Sequence, residues 1–520
     1  MKMKTAGSIA LWTMLSVPLH AAWPGQTGGQ VGVQPTDGAA KADEKKSSVP
    51  EFKVTSHETT IEGQSIKYTA TAGMLPLLDD AGKTKAQVFF VAYEKADQEV
   101  AQRPIMFAFN GGPGSASVWL HMGAIGPRRV EMGPEGEVLP PPAKVVTNEY
   151  SWLDMCDLVF IDPVSTGYSR PAEGENPGQF HGLNEDVAAV GNFIRLYCTR
   201  YQRWSSPKFL VGESYGTTRA SGLAAYLQGQ LGMYLNGMVL ISPVLNFQTL
   251  EPDIGNDLPY WLFLPTYTAT AWHYKKLDAE LQGDLVKTLA EAQRWASGEY
   301  MVALSKGDQL SATERDAIAA KMARYTGVSK EFVLRHELRV TQSQFCRELL
   351  RERGMMVGRL DSRYSAASRE VGDGGGGEGA VGYAGSDPSY AAIQGVYTAG
   401  LNMYLRGELK FESDQNYEIL TGKVNPWSFQ PAVNRYANVS DSLRQAMVQN
   451  PSLKVLFAAG YFDLATPFGA TDYTVAHLGL PAELRGQVTQ TYYRSGHMMY
   501  VRAEDLAKLK ADAKKLVTSP

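Results

Sequence analysis

Lys208-Phe209-Leu210-Val211-Gly212-Glu213-Ser214-Tyr215-Gly216 is an apolar run that ends in a serine between glycines, and the small residues Thr217, Ala220, Ser221, Gly222, Ala224 and Ala225 follow it. Such a run reads as a strand buried on both faces, then a tight turn, then a helix. Strand, turn and helix around G-x-S-x-G form a nucleophile elbow. Its strained backbone exposes the serine hydroxyl, and the helix N-terminus helps hold negative charge at the reacting centre. A serine in an ordinary strand-to-helix turn is the plainer alternative, so the rest of the chain has to discriminate.

The same texture recurs on both sides of the elbow. Ile105–Phe109, Leu158–Asp162, Met238–Ser242 and Lys454–Ala458 are short apolar runs, several ending in Asn, Asp or Ser, with helical stretches such as Asn184–Tyr201 between some of them. Alternation of buried strands and helices predicts an α/β fold with a mostly parallel, doubly wound central sheet. Upstream, Phe52–Thr71 alternates loosely and Gln87–Tyr93 is strand-like, which predicts an antiparallel meander opening the sheet. The alternation stops between about Gln248 and Gly400, where the period is helical, charges are frequent, and a glycine run, Gly372–Gly379, reads as a loop. The expected organisation is a catalytic domain made of 51–247 and 400–520, interrupted by a mainly helical cap, 248–399. No internal repeat is visible.

Composition narrows the function classes. The chain has 520 residues, 44% hydrophobic and 20% charged, which excludes global disorder. Its 50 Lys and Arg against 54 Asp and Glu give a net charge of −4, with no basic footprint for nucleic acid and no polybasic anchor. Three separated cysteines, Cys156, Cys198 and Cys346, exclude a disulfide scaffold and a CxxC metal site. Lys2 and Lys4, the apolar stretch Ile9–Leu19 and then His20-Ala21-Ala22 read as a signal peptide over residues 1–22, with a polar, disordered leader over 23–50. These features predict an exported protein, periplasmic or secreted, with no membrane span in the mature chain.

A serine nucleophile needs a base, and the base needs an orienting acid. On this fold they follow the serine in the order acid, then histidine. Four of the eight histidines lie after Ser214: His273, His336, His477 and His497. The first three sit in helical patterns. His497 leaves the strand-like Val488–Tyr493 within Ser495-Gly496-His497-Met498, which favours it as the base. The acid should leave the preceding strand, and Gly460-Tyr461-Phe462-Asp463 is that exit, so Asp463 is the expected orienter; capping a turn is its plainer role. Acyl transfer also needs two backbone N–H donors for an oxyanion. Tyr215, after the nucleophile, supplies one, and the loop Asn110-Gly111-Gly112-Pro113-Gly114 can supply the other. That loop lacks G-x-G-x-x-G spacing, and Gly82-Lys83-Thr84 lacks the P-loop's first glycine because the position is Leu77. No motif supports a metal or nucleotide cofactor.

Asn110-Gly111-Gly112-Pro113-Gly114-Ser115, Ile161–Ser169, Gly212–Gly216, Asp463 four residues before Pro467, and Gly496-His497 together resemble the serine carboxypeptidases, peptidase family S10, from about residue 85 onward. The resemblance implies an α/β-hydrolase fold and removal of one residue from the free C-terminus of a peptide substrate, here by an exported member of bacterial type. It implies Ser214, Asp463 and His497 as the triad, Gly112 and Tyr215 as oxyanion donors, and Asn110 and Glu213 as the groups that bind the substrate's terminal carboxylate. The family pattern places a second acid two residues before Gly126-Pro127, where this chain has Ala124. Thr466 stands where many members have Cys, and the Cys-rich pattern of eukaryotic members is absent. Glu213 beside a nucleophile in a closed pocket should hold its proton to raised pH, and Arg128 or Arg129 could neutralise the substrate carboxylate in place of a second acid. The expected pH optimum is therefore nearer neutral than the family norm. An esterase or acyltransferase using the same triad, and a non-catalytic binding protein on a hydrolase fold, are the competing readings; the complete triad weighs against the latter.

Overall fold

The computed structural model describes residues 52–368, 387–432 and 435–518. The expected signal peptide, the leader and the glycine run Gly372–Gly379 lie outside the described residues. A meander opens the sheet: β1 (Lys53–Ile61), β2 (Gln64–Leu78) and β3 (Thr84–Lys95) pair antiparallel in succession. β4 (Ile105–Phe109), β5 (Asp157–Ile161), helix α1 (Leu183–Arg200), β6 (Lys208–Glu213), helix α2 (Tyr215–Leu231) and β7 (Gly237–Ile241) follow. After the insertion come β8 (Lys454–Gly460) and β9 (Val488–Tyr493). The spatial order is β1-β2-β3-β5-β4-β6-β7-β8-β9, with the two-residue strand Arg170–Pro171 pairing against β3. From β5 to β9 every pair is parallel.

The apolar runs are continuous because both faces of the sheet are covered, and the pleat sends alternate residues to opposite cores. Met106, Ala108, Phe160, Phe209, Val211 and Val239 belong to one cluster, shared with the C-terminal helix through Leu506 and Leu509. Ile105, Phe107, Val159, Leu210, Met238 and Phe457 belong to the other, with Val190 and Ile194 of α1 and Leu223 and Leu227 of α2. At the N-terminal end of the parallel strands a buried cation fastens the sheet. Arg203 is fully buried and donates to Asp157 Oδ2 at 2.7 Å, Ser206 Oγ at 2.9 Å and the Arg103 carbonyl at 2.9 Å.

The stretch between β7 and β8 is mainly helical and has a core of its own: Phe263, Tyr267, Trp295, Tyr300, Met322 and Phe345 pack together, and Leu464, the residue after Asp463, is buried among them. A short hairpin, Met355–Val357 with Ser365–Ala367, interrupts the helices. Helix α3 (Pro388–Gly407) runs across the expected boundary at 399/400, and its Tyr390, Tyr397, Leu401 and Tyr404 pack into the first sheet core rather than the cap core. Among the described residues no helix is long and apolar enough to cross a membrane.

Arg203→Ala would take one of two guanidinium partners from Asp157, itself 2% exposed, leaving Arg103 Nε at 2.7 Å and Lys95 N at 3.0 Å on the other carboxylate oxygen. Because Arg103 still pairs with the carboxylate, the expected loss is about 2–3 kcal/mol, below the about 3–5 kcal/mol of a buried charge left with no partner, read as a lower urea midpoint at unchanged m-value.

Candidate active site

β6 ends at Glu213 and α2 begins at Tyr215, leaving Ser214 alone at the corner with φ 59° and ψ −131°. A non-glycine residue there is strained and has to be held. Ser214 N donates to the Ile241 carbonyl at 3.0 Å, and the Ser214 carbonyl accepts from Thr217 N at 2.8 Å and Thr217 Oγ1 at 2.7 Å. The turn is tight enough that a Cβ on Gly212 would collide with the Gly216 carbonyl. A Cβ on Gly111 would collide with the amide nitrogens of Tyr215 and Gly216, so the Gly111-Gly112 loop lies against the first N–H groups of α2. Gly112, at φ 100°, continues that loop. Gly112 and Tyr215 line one cleft of about 500 Å³, together with Asn110, Glu213, Ser214 and His497.

Asp463 and His497 come from loops that follow neighbouring parallel strands, β8 and β9. Asp463 is fully buried, and its two oxygens accept four hydrogen bonds: Ala465 N at 2.8 Å, Thr466 N at 2.9 Å, Thr466 Oγ1 at 2.7 Å and His497 Nδ1 at 2.8 Å. With its Nδ1 proton given to the acid, the imidazole presents Nε2 as an acceptor. Burial disfavours the imidazolium, but the charge and hydrogen bond of Asp463, with Glu213 adding, outweigh it and lift His497 above its ordinary value. Ser214 Oγ makes no hydrogen bond to His497 among the described residues, although both line the cleft. Catalytic contacts of this kind are often loose without substrate.

Glu213 is 3% exposed. Burial pushes its carboxyl up to about 7, against the opposing pull of His497 and of the hydrogen bond from Tyr500. Tyr500 Oη donates to Glu213 Oε2 at 2.5 Å. Asn110 Oδ1 accepts from Leu120 N at 3.1 Å, whereas the buried Asn110 Nδ2 has no hydrogen-bond partner in the protein. A buried donor left open beside a proton-bearing carboxyl suits an anionic oxygen ligand.

Several parts of the site were not legible in the sequence. Arg219, 1% exposed, donates from Nε to Asp186 Oδ2 at 2.7 Å and from a terminal nitrogen to the Asn110 carbonyl at 2.6 Å, lying over the Phe109 and Tyr215 rings. Its signal was a lone cation in a run of small helical residues. Arg128 and Arg129 are not in the cleft, contrary to the expectation that one of them would meet the substrate carboxylate. Arg128 is held by Glu408 at 2.9 Å and Thr147 at 2.8 Å, and Arg129 by Glu149 at 3.3 Å, on the short hairpin Arg128–Val130 with Val145–Thr147. The arginine that does line the cleft is Arg359, from the insertion. Ala124 is buried in a π-turn, His121–Ile125. Cys156, Cys198 and Cys346 are buried free thiols, and burial raises all three, Cys198 to about 11 and Cys346 to about 12. Among the described residues no group of His, Cys, Asp and Glu is placed to hold a metal ion.

Strand order, elbow and acid–histidine pair define the fold as that of an α/β-hydrolase. The family profile described as Serine carboxypeptidase, peptidase family S10, matches residues 63–321. Serine carboxypeptidase-like 45 of Arabidopsis thaliana is 28% identical over 181 residues, 32% of this chain and 35% of that protein. Pheromone-processing carboxypeptidase KEX1 of Komagataella phaffii (strain GS115 / ATCC 20864) is 38% identical over 150 residues, 28% of this chain and 22% of that protein. The chain thus spans about a third or less of the length of these relatives. Among solved structures, juvenile hormone epoxide hydrolase from the silkworm Bombyx mori is 10% identical with a TM-score of 0.33, covering 86% of this chain and 78% of its own. The profile and the relatives support the serine carboxypeptidase family for this chain.

The raised Glu213 carboxyl has a stability consequence with a definite sign. The folded state binds its proton more tightly than the unfolded chain does, so this carboxyl lowers stability as pH rises from about 4.5 through about 7. Glu213→Gln is expected to be near-neutral at pH values around 4 and stabilising by on the order of 3 kcal/mol at about pH 8, read from urea midpoints across pH.

Proposed function

We propose that this chain is a serine carboxypeptidase that releases the C-terminal residue of peptides through an acyl-enzyme on Ser214. The observation that carries the reading is the open Asn110 Nδ2 donor and the buried, proton-retaining Glu213 on the wall that also holds Ser214. In this reading Glu213 and Asn110 donate to the terminal carboxylate and so place the last peptide bond over the serine. Ser214 Oγ attacks the carbonyl as His497 Nε2 takes its proton. Asp463 holds the imidazole by Nδ1 and balances the imidazolium. The N–H groups of Gly112 and Tyr215 receive the oxyanion. His497 then hands the proton to the departing amino group, and water repeats the sequence to free the acyl product.

In this reading residues 51–247 and 400–520 form the catalytic domain and 248–399 the cap that shapes the substrate side of the cleft, except that α3 crosses the 399/400 boundary and packs with the catalytic domain's core. The cap's contributions to the cleft, Tyr260, Phe263, Tyr267 and Arg359, support that assignment. The basic and apolar start of the sequence supports an exported protein, periplasmic or secreted, and the low cysteine count is in keeping with a bacterial type.

An N-blocked dipeptide with a free carboxylate, its C-terminal amide, and a simple ester test the reading. The expected result is amino acid release from the acid only, falling by on the order of 10⁶ in kcat in Ser214→Ala. Ser214-dependent cleavage of the ester without release from the acid would favour an esterase. Because Glu213 keeps its proton to about pH 7 and His497 must be neutral, the kcat/KM profile should peak near neutral. A sharp peak below about pH 5 would overturn that part.

A further inference from the structure

Tyr500 lies three residues after His497 and does not line the cleft; it sits behind Glu213, fully buried, with its hydroxyl 2.5 Å from Oε2. The space for it is made by the π-turn. A Cβ on Gly123 would fall 2.6 Å from the Tyr500 ring and 2.6 Å from the Tyr397 hydroxyl, so only a residue without a side chain lets both rings in. Next to Gly123 is Ala124, where the family resemblance puts an acid. The carboxyl expected from that turn is absent, and a phenol reaches Glu213 from the histidine loop instead. Tyr500 also borders a small cavity of about 80 Å³ that Tyr397, Arg129 and Glu149 line with it.

We infer that Tyr500 is the positioning residue of the carboxylate-binding acid. By holding Oε2 of Glu213, its phenol directs the remaining oxygen and its proton into the cleft, doing with a neutral donor what a second carboxyl would otherwise do. The inference rests on the carboxypeptidase reading. A carboxylate with one oxygen fixed has one orientation left, and a phenol at this distance is a strong donor. A second acid would share a proton with Glu213 and push its titration further up. A tyrosine cannot ionise here, since burial and the neighbouring Glu213 raise it well above its ordinary value, so it only donates.

The groups that face Glu213 are few. His497 and Asp463 approach from the loops after β9 and β8, Tyr500 from the histidine loop, Tyr397 from α3, and the Asn110 amide from the loop after β4. Of these, the Tyr500 hydrogen bond favours the ionised carboxyl, as His497 does, while burial and Asp463 favour the protonated one. Removing the phenol therefore moves the titration up, and at the same time frees the carboxyl to rotate. The two effects separate experimentally, one as a pH shift and the other as weaker binding of the carboxylate.

The test compares wild type, Tyr500→Phe and Gly123→Ala, the last of which displaces the same ring by its new Cβ without deleting the hydroxyl. Initial rates are measured across pH on the N-blocked dipeptide acid and on a simple N-blocked amino acid ester that lacks the carboxylate. For Tyr500→Phe, KM for the acid should rise about tenfold at pH 6 with kcat within about twofold, the upper end of the loss expected for one hydrogen bond between neutral groups. The alkaline limb of 1/KM should move up by about one pH unit. Ester hydrolysis should be unchanged, and Gly123→Ala should raise KM for the acid in the same way. An unmoved limb with unchanged KM would overturn the inference, as would equal losses on acid and ester, which mark a merely structural residue. If wild type cleaves the ester through Ser214 but releases nothing from the acid, the carboxypeptidase reading itself fails, and that failure is visible before any Tyr500 variant is measured.

Discussion

Backbone touching backbone around Ser214 is the constraint on which the rest of the site depends. The end of β6, the first turn of α2 and the loop after β4 meet with no room for a Cβ at Gly111, Gly212 or Gly216. A strained φ at a non-glycine residue costs about 1–3 kcal/mol and persists only where its surroundings over-determine it. Here the surroundings are parallel strands buried on both faces, and the hydrogen bond from Ser214 to the Ile241 carbonyl ties the corner to the next strand. The geometry of Ser214 and of the Gly112 and Tyr215 N–H groups beside it is thus set by sheet register, not by mobile side chains.

The charges near that corner are handled in two different ways. Asp463 has four hydrogen bonds, and Arg219 is shared between Asp186 and the Asn110 carbonyl. Both are locked, and both fix neighbours: Asp463 fixes the tautomer of His497, and Arg219 fixes the peptide from which the Asn110 side chain projects. Glu213 accepts a hydrogen bond from a neutral phenol and is otherwise governed by its burial. Burial therefore holds its carboxyl near about 7, where it can gain or lose a proton, which is unfavourable for folding at high pH.

The insertion takes part in the site through hydrogen bonds to the main chain of the acid and histidine loops. The Arg359 carbonyl accepts from Leu464 N at 3.0 Å, the Leu360 carbonyl from His497 N at 2.7 Å, and Asp361 Oδ2 from Gly496 N at 3.0 Å. Leu464 is buried in the insertion's own core. One short segment of the insertion therefore clamps the loops that carry both the acid and the histidine. A change in the packing of that core has a direct route to the geometry of the pair, independent of any contact with substrate.

The sequence by itself determined the parallel strands, the elbow and the elements that carry Asp463 and His497. Those signals are local: runs of apolar residues that end in Gly, Asn, Asp or Ser, and histidine and acid at strand exits in a fixed order. It also marked Glu213 as a carboxyl that burial would raise, because its place beside the nucleophile is a property of the elbow. Arg128 and Arg129 looked available because a side chain's partners are not written in its neighbours; Glu408, Thr147 and Glu149 claim them. Arg219, Arg359 and Tyr500 gain their importance from contacts with residues about 100 to nearly 300 positions away. Only the tertiary structure could decide those, because hydrogen bonding and desolvation depend on distance in space, and the chain pattern records distance only along the chain.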